Sequence, residues 1–147
     1  MKEGAAVGKR IPEWAIQRVT LRFVAQLAHR SLAFDLVGAA VEHVSGDPEI
    51  RNAVTTAFGE AFNNVCIHAY AGKTDGVLEV DVETSPNRVI LHLKDWGASA
   101  DMGAVAEPDL EGLPEGGLGI FMMHALVDEV VYRSGSPNVL SLTKHFP

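Results

Sequence analysis

The chain has 147 residues, of which 47% are hydrophobic and 21% charged, with 12 Lys and Arg against 19 Asp and Glu. At this length one compact domain is expected, burying roughly 70% of the surface that the unfolded chain exposes. A net charge of −7 and a pI near 5.3 argue against sequence-independent binding to nucleic acid or an anionic membrane, since both need a basic surface.

The single cysteine, Cys66, excludes an intrachain disulfide and a cysteine-built metal cage, and it suits a reducing cytoplasm. No apolar run approaches the roughly 20 residues that span a bilayer. The opening MKEGAAVGKR carries no hydrophobic signal core. Residues 1–12 read as a loose lead-in, and no repeat or linker divides the remainder.

In chain order, Val19, Leu21 and Phe23 alternate with Thr20 and Arg22, the period of a half-buried strand. Between Ser31 and Val44, residues Leu32, Leu36, Val37, Ala40, Val41 and Val44 recur at spacings of three and four. That pattern predicts an amphipathic helix with Ser31 as its cap, ending near Gly46. Asp47-Pro48-Glu49 opens a second helix, since Asp caps, Pro suits the first helical position and Glu favours the positive helix end. This helix is expected to run to about Tyr70.

Val77–Glu83 and Arg88–Lys94 alternate around Ser85-Pro86-Asn87 as a hairpin. Residues 97–116 show no steady period and predict a functional loop or lid; within it, residues 101–115 hold five acids and no Lys or Arg. Ile120–Val127 predicts a short buried helix. Glu129–Arg133 and Val139–Phe146 form a last hairpin around residues 134–138. The order predicts an α+β fold, a two-layer sandwich with helices on one face of a mixed, mostly antiparallel sheet.

Glu60, Asn64 and His68 stand at i, i+4 and i+8, so each advances about 40° and the three form one narrow polar stripe. The rest of that helix is apolar, with Ala57, Phe58, Ala61, Phe62 and Val65. Taken alone, the stripe is equally a solvated helix edge. As a site, it offers Glu60 as a general base and Asn64 as an oxygen ligand for a hard cation such as Mg²⁺, with His68 a structural hydrogen-bonding group.

Asp95-Trp96-Gly97 follows a strand, where a carboxylate can accept a hydrogen bond from an exocyclic amine; a plain strand-ending turn reads the same way. Trp96 is expected to pack beside that cleft. Gly116-Gly117-Leu118-Gly119 heads a helix, where backbone N–H groups can approach a phosphate. Neither a Gly-x-x-x-x-Gly-Lys-Ser/Thr loop nor a dinucleotide fingerprint is present.

Taken together, Glu60-Ala61-Phe62-Asn63-Asn64-Val65-Cys66-Ile67-His68-Ala69-Tyr70, Asp95-Trp96-Gly97 and Gly116-Gly117-Leu118-Gly119, with Leu126-Val127-Asp128-Glu129-Val130, resemble the GHKL (Bergerat-fold) ATPases. Within that family the chain is most similar to the bacterial anti-sigma-factor serine kinases, over about residues 18–146. The resemblance implies ATP and Mg²⁺ as cofactors, Glu60 as the base, Asn64 as the Mg²⁺ ligand, and Asp95 reading the adenine amino group with Gly97 leaving room for the base. It also implies that Gly117, Leu118 and Gly119 line the phosphates, with His68 completing the nucleotide-binding helix.

The partners implied are a STAS-domain anti-sigma antagonist, which is phosphorylated on serine, and a sigma factor bound in alternation, with a possible homodimer. A second reading is a nucleotide-binding regulatory module that sequesters a partner without transferring phosphate. A third, a detached histidine-kinase catalytic domain, would need its phosphoacceptor segment on another chain.

Overall fold

Alternation in the strands and three-to-four spacing in the helices each create one apolar face, and the fold brings those faces together. A computed structural model describes residues 15–99 and 117–147. Its elements are β1 (Gln17–Val24), α1 (Arg30–Val44), α2 (Pro48–Asn64), β2 (Val77–Ser85), β3 (Arg88–Asp95), α3 (Gly117–Leu126), β4 (Glu129–Arg133) and β5 (Asn138–His145). The five strands lie in the order β1-β2-β3-β5-β4. Every pairing among them is antiparallel, so the sheet expected to be mixed and mostly antiparallel is wholly so within the described residues. The crossover through α3 sets β4 one strand-width away from β3, and β5 folds back into that gap.

The inner sheet face carries Leu78, Val80 and Val82 from β2, Val89, Leu91 and Leu93 from β3, and Leu142 from β5, all buried. Against them pack Val37 and Val41 of α1, Val54, Phe58, Ala61 and Phe62 of α2, and Met123 of α3. Phe62 meets Phe58 and Phe23 edge-on, with ring centroids 6.1 and 6.2 Å apart. Each such fully buried side chain contributes about 1.5–3 kcal/mol of transfer free energy.

The outer face is polar. Arg18, Thr20 and Arg22 oppose Glu83, Asp81 and Glu79 in register, and Lys94 reaches Asp81 at 2.8 Å. Burial works to raise the Asp81 carboxyl, but hydrogen bonds from Lys94 and Thr20 outweigh it and hold the group below its ordinary value. The hydrogen bond from Arg18 to Glu83, with their attraction, pushes the Arg18 guanidinium up.

Two expectations about the first helix are corrected. The first helix is capped by His29 without a side-chain hydrogen bond, not by Ser31, and its buried row is Ala33, Val37, Gly38 and Val41. Leu32 and Leu36 are 57% and 40% exposed, so the apolar spacing that included them counts one more row than the core covers. At the second helix Asp47 does cap, accepting from the Glu49 N–H at 2.9 Å, with Pro48 in the first turn. Its α-helix ends at Asn64, and a wider π turn carries the chain from Val65 to Ala69, short of Tyr70.

Candidate functional site

Because Ala57, Phe58, Ala61 and Phe62 bind α2 into the core, the other side of the helix is left to Glu60 and Asn64, both half-buried. Among the described residues neither side chain has a hydrogen-bond partner. Helix α3 packs along α2, and at Gly119 an added Cβ would lie 3.1 Å from Glu60 Oε2. A residue with a side chain there would press on the carboxylate. Gly117 is buried at the start of α3, while Leu118 is 59% exposed.

His68 lies in the π turn beyond Asn64 and is exposed. The same turn buries Cys66, and burial pushes its thiol up from the ordinary value. It also turns the end of the helix toward the Asp95–Ala98 segment. The Ala69 carbonyl accepts from the Ala98 N–H at 2.8 Å. The Tyr70 hydroxyl donates to the Val77 carbonyl at 2.6 Å and accepts from the Trp96 N–H at 2.9 Å. Gly97 passes so near that an added Cβ would stand 2.3 Å from the Ala69 oxygen.

Asp95 is the last residue of β3 and only 5% exposed. Its Oδ1 accepts from the Gly97 N–H at 3.0 Å and from Asn138 Nδ2 at 2.9 Å. Asn138, fully buried at the start of β5, had no assigned role in the sequence, where it reads as part of a Ser-Gly-Ser-Pro-Asn turn. Tyr70 was likewise legible as a motif letter but not as the pin it forms. Trp96, expected to pack beside the cleft, lines a cavity of about 440 Å³ with Arg22, Tyr70, Asp75, Gly76, Val77 and Glu79.

The expected lid over 97–116 lies outside the described residues from position 100 onward, as do Gly116, the acidic 101–115 segment and the lead-in at 1–12. Among the described residues no three His, Cys, Asp or Glu side chains converge on a metal-binding point. The half-buried Asn64 side chain presents an amide oxygen of the kind a hard cation such as Mg²⁺ takes. The arrangement therefore offers a half-buried carboxylate beside a glycine-bearing helix start, an adjacent amide oxygen, and a buried, oriented acceptor at the end of β3.

Comparison with known proteins agrees with this fold. The family described as "Histidine kinase-like ATPase domain" matches residues 23–144. An anti-sigma F factor of Clostridium botulinum is 28% identical over 121 residues, covering 80% of this chain and 85% of the relative. A serine-protein kinase RsbW of Halalkalibacterium halodurans is 32% identical over 99 residues, covering 62% of this chain and 60% of the relative. Among solved structures, the histidine kinase domain of a blue-light activated histidine kinase from Erythrobacter litoralis superposes with a TM-score of 0.51 at 14% identity, over 78% of this chain. The chain spans 60% of that domain, and the likeness establishes the fold.

Proposed function

Because the chain belongs to the family of histidine kinase-like ATPase domains, we propose that it binds ATP with Mg²⁺ and acts as an anti-sigma-type protein serine kinase. Relatives named anti-sigma F factor and serine-protein kinase RsbW support that subclass. The observation that carries the reading is the contact of Gly119 with Glu60: a glycine at a helix start and a carboxylate, far apart in sequence, share one point in space.

In this reading Asp95 accepts from the adenine amino group, and Gly97, whose missing Cβ admits the Ala69 backbone and not the ring, holds the turn beside it. Backbone N–H groups at Gly117, Leu118 and Gly119 face the phosphates, where the helix dipole favours anions. The Asn64 amide oxygen would hold Mg²⁺, with His68 at the rim. The ion, when bound, offsets negative charge on the phosphate oxygens. Glu60 takes the proton of the attacking serine hydroxyl as its oxygen bonds to the γ-phosphorus and the bond to the β-phosphate oxygen breaks, leaving ADP. The phosphorylated protein is a STAS-domain anti-sigma antagonist, and a sigma factor is the alternate partner. The setting is cytoplasmic, with a homodimer as the working assembly. No described helix is long and apolar enough to cross a membrane.

The test titrates the protein with ATP and ADP, with and without Mg²⁺, by calorimetry, and then adds a STAS protein and labelled ATP. Asn64→Ala is expected to abolish the Mg²⁺-dependent part of binding. Glu60→Gln is expected to retain binding and slow transfer by roughly 10²–10⁴-fold. Binding without transfer in the parent protein would overturn the kinase reading in favour of a nucleotide-gated sequestering module. No binding at millimolar nucleotide would overturn both.

A further inference from the structure

Asn138 is the cross-strand partner of Asp95 where β3 and β5 pair, and both side chains are buried. Its amide uses its full capacity. Nδ2 donates to Asp95 Oδ1 at 2.9 Å and to the Gly97 carbonyl at 3.0 Å. Oδ1 accepts from Ser99 Oγ at 2.8 Å and from the Gly135 N–H at 3.0 Å. Two donors and two acceptor positions are all that an amide side chain has. Its orientation is also determined, since the Gly135 N–H can only donate and the Gly97 carbonyl can only accept.

This amide therefore joins three segments, the end of β3, the irregular stretch after it at Gly97 and Ser99, and the β4–β5 turn, around one carboxylate oxygen. With the Gly97 N–H, Asp95 Oδ1 holds two protein donors. Rotating the carboxylate would break both at once inside the protein. Among the described residues, Oδ2 accepts from none.

We propose that Asn138 is a positioning residue that sets the base specificity of the nucleotide site by clamping Oδ1 of Asp95, so that Oδ2 alone is presented to the exocyclic amino group of a 6-aminopurine. The proposal rests on the nucleotide reading above and adds to it a residue with no assigned role. A purine with a 6-carbonyl places an acceptor against a fixed acceptor and leaves Oδ2 unpaired, the kind of mismatch that buried polar sites reject strongly. Without the clamp, the carboxylate is free to turn toward other donors, and the distinction between an amine and no amine weakens.

The experiment measures calorimetric affinities of the full chain for ATP, inosine triphosphate and purine riboside triphosphate, which lacks the 6-substituent. The proteins are the parent, Asn138→Ala, Asp95→Ala and the double variant, with thermal melts as a check on folding. The parent is expected to favour ATP over purine riboside triphosphate by about tenfold, the worth of one charge-assisted hydrogen bond. Asn138→Ala is expected to lose most of that preference while binding purine riboside triphosphate nearly as before. In the Asp95→Ala background the same substitution should change the preference no further.

Equal weakening toward all three ligands would overturn the proposal, because it would mark a purely structural amide. An unchanged preference, or additive effects with Asp95→Ala, would also overturn it. If Asn138→Ala does not fold, Asn138→Ser supplies the same comparison. A parent that binds ATP and purine riboside triphosphate equally would refute the role of Asp95, and a parent that binds neither would refute the nucleotide site. Either result removes the premise and is distinct from a failure of Asn138 alone.

Discussion

Two glycines would place an added Cβ at the same 2.3 Å from a neighbouring atom, and the consequences of replacing them by alanine should be opposite. At Gly97 the obstructing atoms are backbone: the Ala69 carbonyl oxygen at 2.3 Å and its carbon at 2.6 Å. Relief requires about 1 Å of displacement of one segment from another, an overpacking cost of about 1–3 kcal/mol. The same movement strains the Ala98 N–H to Ala69 bond at 2.8 Å, the Gly97 N–H to Asp95 bond at 3.0 Å and the Asn138 to Gly97 carbonyl bond at 3.0 Å. With about 1 kcal/mol net for a lost hydrogen bond, Gly97→Ala should cost roughly 2–4 kcal/mol.

At Gly59 the obstructing atom is Arg30 Nη2, the tip of a long side chain that can swing away. The loss is one hydrogen bond at 3.3 Å from Arg30 Nε to the Gly59 carbonyl, against a gain of about 1 kcal/mol in helix propensity. Gly59→Ala should therefore stay within about 1 kcal/mol of the parent. For a chain of this size 1 kcal/mol moves Tm by roughly 2–4 °C, so melts followed by circular dichroism should show Gly97→Ala falling by roughly 5–15 °C and Gly59→Ala moving only a few degrees. Calorimetry should show ATP binding weakened at least tenfold in Gly97→Ala alone. A Gly97→Ala protein that melts and binds like the parent would refute the reasoning, as would a Gly59→Ala protein equally damaged.

On the outer sheet face, Asp81 has a carboxyl held below its unfolded value near 3.9, so its contribution is present above that pH and is lost as the pH falls through the lower, folded value. Asp81→Asn should destabilise the protein at pH 7 by up to about 1 kcal/mol, and the gap from the parent in urea melts should narrow below about pH 4; a gap that widens toward acid would contradict the assignment. Removing the Asp47 cap by Asp47→Ala should cost about 1 kcal/mol, read as a Tm lower by roughly 2–4 °C with nucleotide affinity unchanged.

Much of the architecture was legible in local pattern. Alternation at Leu78–Val82 and Val89–Leu93 identified two central strands, and the Asp47-Pro48-Glu49 opening located the start of α2 to the residue. The pattern failed where it had to say what lies opposite. Leu32 and Leu36 keep helical spacing with Val37 and Val41, yet only the latter row meets the sheet and α2, because spacing records a stripe and not its width. The extrapolation of the polar stripe to His68 assumed an unbroken α-helix, whereas the turn beyond Asn64 is a π turn.

The sequence by itself determined the helix–strand order, the two-layer packing, the acidic surface and the chemical kinds available at the site, because these depend on periodicity and composition within short windows. Only the tertiary structure decided that Gly119 meets Glu60, that Tyr70 pins Trp96, and that Asn138 clamps Asp95 from 43 residues away. Those contacts depend on which strands pair and in what register, and a buried amide is informative only once its neighbours are known. In the sequence Asn138 is a turn residue after a proline; in the fold it has no surface left and four partners.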